Sequence, residues 1–306
     1  MLFPGLNAQT TFFMKKFNRL LLFILLLSLT HLVQAQNIPD STGLPGDNFS
    51  LEGALEMFKK SSSPEEFEKL INSENNGVNN LDLDNDGNTD YVKVIDKKEG
   101  DVHAFVLQVA VSEKENQDIA VIELEKTGAN NAVLQIVGDE DIYGEQTIVE
   151  PSDDAVSFVD PVSRVANGPH AAQDDYNYNS VNGIIVNVWM WPAVRFVYAP
   201  AYTVWVSPWS WRLHPVWWRP WRPLYWHAFY PRRVVYVRHY TVVTTHRVVR
   251  AHRIYRPVRV TSVTVRTHYQ PRVTQYRVAR RTTVVEGPRG NRVKVHRTKV
   301  VRKRRY

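Results

Sequence analysis

Charge changes sign once along this chain, and that reversal constrains the fold more than any other feature. Residues 36–182 carry 30 Asp and Glu against nine Lys and Arg, a balance of −21. Residues 183–306 carry 26 Lys and Arg against the single acid Glu286, a balance of +25. A reversal of this size marks a boundary between two physically different halves. It also allows those halves to neutralise one another, with the basic region wrapping the acidic one. No cysteine occurs among the 306 residues, which removes disulfides, thiol catalysis and cysteine-rich zinc sites. Apolar burial, a metal or a partner must hold the chain together.

From Met14 the chain reads MKKFNRLLLFILLLSLTHLVQA: basic Lys15, Lys16 and Arg19, an apolar run from Leu20 to Val33, then Ala35. This succession predicts a secretory signal cleaved after Ala35, with residues 1–13 an over-extended start. A membrane anchor is the alternative, but the run is about 14 residues and holds Ser28, Thr30 and His31, whereas a spanning helix needs roughly 20 apolar residues. No later segment reaches about 18 uninterrupted apolar residues, so no transmembrane helix is expected in the mature chain. The expected setting is secreted, or periplasmic and outer-envelope associated.

After a linker at 36–46, residues 47–150 predict an α+β domain of two short helices and an antiparallel β-meander. Ser50 caps the helix LEGALEMFKK, with Leu51, Ala54, Leu55 and Phe58 at helical spacing. Ser63 caps a second, SSPEEFEKL, with Pro64 at its first position and Glu66 placed to reach back to the cap. The period then becomes two in YVKVIDKK, VHAFVLQVAV, IAVIELEK, NAVLQIV and EQTIVEP. Short polar connections make these antiparallel neighbours, with both helices on one face. About 100 residues suffice for a core that folds alone. Residues 151–182 lack periodicity and read as a linker. Residues 183–231 hold all nine tryptophans, punctuated by proline and without an acid. An irregular β segment is expected there, VRFVYAP and AYTVWVS pairing as a hairpin. Residues 232–306 alternate Val and Thr with Arg, His and Tyr, and predict an extended or disordered basic tail.

LDLDNDGNTDY, residues 81–91, carries the one metal-like pattern. Asp82, Asp84, Asp86 and Asp90 stand at positions 1, 3, 5 and 9 of a loop, Gly87 makes the turn, and Asn88 offers a backbone carbonyl. Hard oxygens in this number suit calcium in a structural role, as found in weak extracellular modules. Lys93 stands where a helix–loop–helix calcium hand needs glutamate, so that module is excluded. The loop resembles the D-x-D-x-D-G-x-x-D loops of the integrin-type propeller, although Asn88 replaces the usual apolar residue, and it implies no propeller fold. The bland alternative is a solvated acidic turn.

Enzyme signals are poor. G-x-S-x-G, H-E-x-x-H, phosphate-loop and dinucleotide motifs are absent. His103, near Asp101, reads as a histidine satisfied by a neighbour rather than a catalytic base. GDEDIYGE, residues 138–145, could pair carboxylates for glycan hydrolysis, but reads more simply as a hydrated turn. The seven histidines from His214 onward are irregularly spaced among arginines, which argues against metal capture there.

The aromatic and basic half admits two binding surfaces. Trp189, Trp191, Trp209, Trp211, Trp217, Trp218 and Trp221, with Arg219 and Arg222, suit a membrane interface or sugar stacking; packing into an irregular core is the alternative. Arg232, Arg233, Arg253, Arg256, Arg259, Arg302, Lys303, Arg304 and Arg305 suit polyanions such as lipopolysaccharide or acidic polysaccharide, without specific nucleic-acid recognition. LEGALEMFKKSSSPEEFEKL, LDLDNDGNTDY, W-x-W-P and S-P-W-x-W together resemble a group of uncharacterised bacterial secreted proteins, and that likeness brings no activity with it. The leading expectation is a non-enzymatic envelope protein. The alternatives are an envelope glycan hydrolase using the acidic domain's carboxylates, and a structural protein whose tail wraps its acidic domain.

Overall fold

The computed structural model describes residues 38–152, 186–286 and 292–296. The expected signal, most of the expected 151–182 linker and residues 302–305 lie outside them. No helix of the described residues is long and apolar enough to cross a membrane.

The expected α+β architecture is present. Helix α1 (Leu51–Lys60) starts on Ser50, whose hydroxyl accepts from Gly53 N at 3.0 Å. Helix α2 (Pro64–Ile71) starts on Ser63, which accepts from Glu66 N at 3.1 Å. The Glu66 carboxylate reaches one residue further back than expected, to Ser62 N at 2.7 Å. Strands β1 (Val92–Glu99), β2 (Val102–Ala110), β3 (Asn116–Gly128), β4 (Asn131–Gly138) and β5 (Thr147–Pro151) form the antiparallel meander. A single turn, α3 (Glu140–Tyr143), joins β4 to β5.

The meander is not closed by its own residues. Strand β6 (Tyr240–Val243), from the basic region, pairs antiparallel with β5 and completes a six-stranded sheet. One sheet face packs Phe58, Phe67, Phe105, Leu107 and Ile122 together with Val188, Trp191, Val194 and Val197 from the Trp-rich segment. The opposite face, with Ala104, Val106, Val121 and Val137, is covered by Tyr255 and Ile254 of α6 (Val249–Tyr255). The described residues from Pro39 onward cluster as one unit.

The C-terminal half differs in detail from the sequence expectation. VRFV lies within the short helix α4 (Pro192–Val197) instead of a hairpin strand. The following segment bridges the sheet edge, Val206 to Ile95. Helix α5 spans Trp226–Val234, and α7 spans Val263–Arg281 and carries Pro271 inside it. The expected extended tail is therefore helical over much of 249–281. The reason is spacing: Val265, Tyr269, Val273 and Tyr276 recur at three- and four-residue intervals and give α7 a buried stripe despite its β-branched composition. Strands β7 (Thr282–Glu286) and β8 (Arg292–His296) pair antiparallel beyond it.

Candidate functional site

The aspartate loop folds around its own carboxylates. Asp84 Oδ1 accepts from Asp86 N at 3.1 Å, Asp86 Oδ1 from Asn88 N at 2.8 Å, and Asp82 Oδ2 from Gly87 N at 3.1 Å. Gly87 sits at φ +82° and Asn85 at +59°, left-handed conformations that this glycine and asparagine tolerate. Asp82, Asp84 and Asp86 converge, with one oxygen of each within 4.8 Å of the others. Asp90 is not in that group; its Oδ2 accepts from Leu83 N at 2.6 Å. Burial, with Asp84, Asp82 and Asp86 adding repulsion, pushes its carboxyl up to about 8. Burial also raises Asp82, whose Oδ1 is sequestered without a hydrogen-bond partner. Crowded carboxylates with an unsatisfied oxygen fit a hard cation, and Asp82, Asp84 and Asp86 are the side chains that would hold it.

The loop is also a docking point for the Trp-rich segment. Thr89 N donates to Trp221 O at 2.7 Å, and Asn80 exchanges hydrogen bonds with the Leu224 backbone at 2.7 and 3.0 Å. A cleft of about 200 Å³ opens between them. Asp84, Asp86 and Asp90 line one side; Trp211, Arg212, His214 and Trp218 line the other.

The predicted tryptophan surface divides in two. Trp191, 9% exposed, lies against Phe58 with ring centroids 6.5 Å apart, and Trp218, 4% exposed, meets Tyr91 edge-on at 5.1 Å. Both belong to the interior. Trp189 stacks on Tyr198 under the Lys126 ammonium. Trp217 is 47% exposed; Arg219 and Arg222 face solvent, while Trp209, Trp211 and Trp221 are half-buried.

The predicted basic surface divides likewise. Arg233 is buried, donating to Asp47 O at 2.8 Å beside Glu52. Arg259 grips Asp139 and Asp141, the latter at 2.8 Å, with Glu140 at 3.6 Å. The GDEDIYGE carboxylates are therefore held by an arginine instead of standing as a free pair. Arg232, Arg253 and Arg256 are exposed.

Many hydrogen bonds between the halves follow one pattern: a carboxylate or amide of the acidic half receives the basic half. Glu68, buried on α2, accepts from Val94 N and Tyr91 Oη at 2.8 Å, Ser207 Oγ at 2.9 Å and Trp205 Nε1 at 3.3 Å. Burial still raises its carboxyl above the usual range. Asp118 accepts from Val260 N at 2.8 Å and Tyr255 Oη at 3.2 Å. His103 is buried, and its partner is Asp96 at 2.9 Å across the strand pair; Asp101 is not that partner. Tyr202 Oη also donates to Asp96, at 2.8 Å. Two histidines expected to be scattered are brought together: His246 and His252 both meet Glu123. No sequence signal marks that meeting, because Glu123 lies on a strand 123 residues before His246.

No family model, curated protein or solved structure matches this chain.

Proposed function

We propose that this is a non-enzymatic secreted or envelope protein that adheres to an anionic polymer or membrane surface through solvent-facing cations and aromatics of residues 183–306, braced by calcium at the 82–90 loop. One observation carries the reading. Arg250 and Arg253 stand exposed on the outer side of α6, with Arg256 exposed just past its end, while Val248 before the helix and Ala251 and Tyr255 within it are buried. These arginines form a cation row on a rigid element, and planar guanidinium groups suit phosphate and sulfate. Trp217, Arg219 and Arg222 are exposed as well.

Retention of the full mature chain on heparin and on immobilised lipopolysaccharide tests this. Affinity falls linearly in log–log form with salt, because binding releases counterions. Replacing Arg250, Arg253 and Arg256 together with glutamine lowers that slope by about three, roughly one per lost contact. Passage without delay at low salt, or an unchanged slope in the variant, defeats the proposal.

The structural alternative, a basic region that serves its own acidic sheet, is favoured by the Arg259, Arg266 and Arg247 ion pairs with Asp139, Asp141 and Glu150. Salt weakens both arrangements, but only surface adhesion yields affinity for an added polyanion. The glycan-hydrolase alternative draws less support, because Arg259 and Arg266 hold the carboxylates it would use.

A further inference from the structure

We propose that Glu123, His246 and His252 form a binding site for a single zinc-class divalent ion, which fastens the basic region to the outer face of the sheet. The donors are two imidazole nitrogens and one carboxylate, a set that suits zinc and leaves a fourth position for water. Calcium and magnesium prefer all-oxygen shells, so this site and the aspartate loop select different ions.

The three side chains already converge. His252 Nδ1 lies 2.8 Å from Glu123 Oε1, and His246 Nε2 contacts Oε2. The two imidazole centroids are 4.0 Å apart at 53°. Around tetrahedral zinc, neighbouring ligand atoms stand about 3.3 Å apart, so the His252–Glu123 contact needs to open by about half an ångström and the His246–Glu123 contact by somewhat more. Without a metal, both rings must turn an N–H towards the same carboxylate. With one, each presents a lone pair and the buried charge of Glu123 gains a counter-ion.

The surroundings fix the ligands in place. Gln135 stands opposite Glu123 in the β3–β4 register. Its Oε1 accepts from Arg247 N at 2.8 Å and Val248 N at 3.0 Å, and its Nε2 donates to Thr245 O at 2.9 Å. Backbone on both sides of His246 is thereby held. Glu125, two residues along β3, accepts from Arg250 N at 2.6 Å and Ala251 N at 3.0 Å, fixing the first turn of α6, which carries His252. Such outer contacts orient metal ligands before the ion arrives. Of the two arginines adjacent to the ligands, Arg247 pairs with Glu150 at 3.3 Å and Arg253 faces solvent. Glu123 is fully buried, while His246 and His252 are 20% and 18% exposed, so an ion has access from the histidine side.

The test is titration of the chelator-treated full chain with Zn²⁺ alone, followed by calorimetry, and with Co²⁺ followed by visible absorption. One equivalent of zinc binds, and Co²⁺ gives the intense bands of a tetrahedral site with nitrogen donors. His246→Ala and His252→Ala each weaken zinc binding by about 100-fold or more, and Gln135→Ala by about 10-fold. Asp84→Ala with Asp86→Ala leaves zinc binding unchanged, which separates this site from the calcium loop. Absence of zinc uptake by the wild-type chain overturns the proposal, as does a pale octahedral Co²⁺ spectrum. Undiminished uptake in both histidine variants also overturns it. Should the variants unfold, the wild-type Co²⁺ spectrum alone decides.

Discussion

Replacing Arg259 with methionine isolates what one clasp between the halves contributes. The Asp139 side chain is 2% exposed and Arg259 is 22% exposed, and the guanidinium reaches Asp139, Asp141 and Glu140 together. Removing one partner of a buried pair costs about 3–5 kcal/mol, and water reaching the arginine side reduces this to about 2–3 kcal/mol. The loss carries a pH signature. Burial, opposed by Arg259, raises the Asp139 carboxyl from 3.8 to about 6. A carboxyl raised on folding contributes stability that is fully present below the unfolded value and lost as pH climbs through the folded one. For Asp139 that window runs from about pH 4 to 6 and spans roughly 3 kcal/mol, at about 1.4 kcal/mol per unit. Without Arg259 the carboxyl rises further. The variant is therefore destabilised by about 2–3 kcal/mol at pH 8 but by less than about 1 kcal/mol at pH 5, where both chains hold the proton. Urea unfolding of the full chain at the two pH values measures both numbers. Equal losses at pH 5 and pH 8 would show that Arg259 acts by packing and that the charge argument is wrong.

Two further outcomes follow from the same contacts. Millimolar calcium raises the melting temperature of the full chain, and Asp84→Ala with Asp86→Ala removes the gain; identical melts in calcium and chelator reject the loop as a site. Trp191→Ala costs about 3–5 kcal/mol because it empties a core position against Phe58, whereas Trp217→Ala costs under about 1 kcal/mol. Comparable losses at the two positions would contradict the division of the tryptophans into interior and surface.

Legibility in the sequence follows the range of the interactions. Helices α1 and α2 were readable because their caps, Ser50 and Ser63, lie within three residues of the amides they satisfy. Strands β1–β5 were readable because alternation and short polar turns are local properties. Helices α6 and α7 were not, since Val, Thr and Tyr favour strands locally and mask the helical spacing of the α7 stripe, while the surfaces that receive these helices, the sheet face for Tyr255 and Leu44 for Val273 and Tyr276, come from distant chain. The aspartate loop was readable as a cluster, but the separate seat of Asp90 depends on its bond to Leu83 N. His103 and Asp96 become partners only once the β1–β2 register places Lys98 opposite His103 and Asp96 opposite Phe105. The arginines looked like a free cationic surface because composition cannot say which of them meet an acid from the other half.

The sheet's two borders carry a consequence for how the chain reaches its native state. Strand β1 is bordered by the Trp205–Ser207 segment, through Asp96 N to Trp205 O and Ser207 N to Val94 O, and β5 by β6. Both covers come from the basic half, about a hundred residues downstream of the strands they protect. A chain emerging N-terminus first therefore builds a meander with two open edges, each an invitation to pair with a neighbouring molecule. Closure by such distant segments is slow, because the loop entropy is spent before the contacts form. During that interval the −21 charge of the acidic half keeps nascent chains apart by mutual repulsion. Arrival of the basic half cancels the repulsion at the moment it seals the edges.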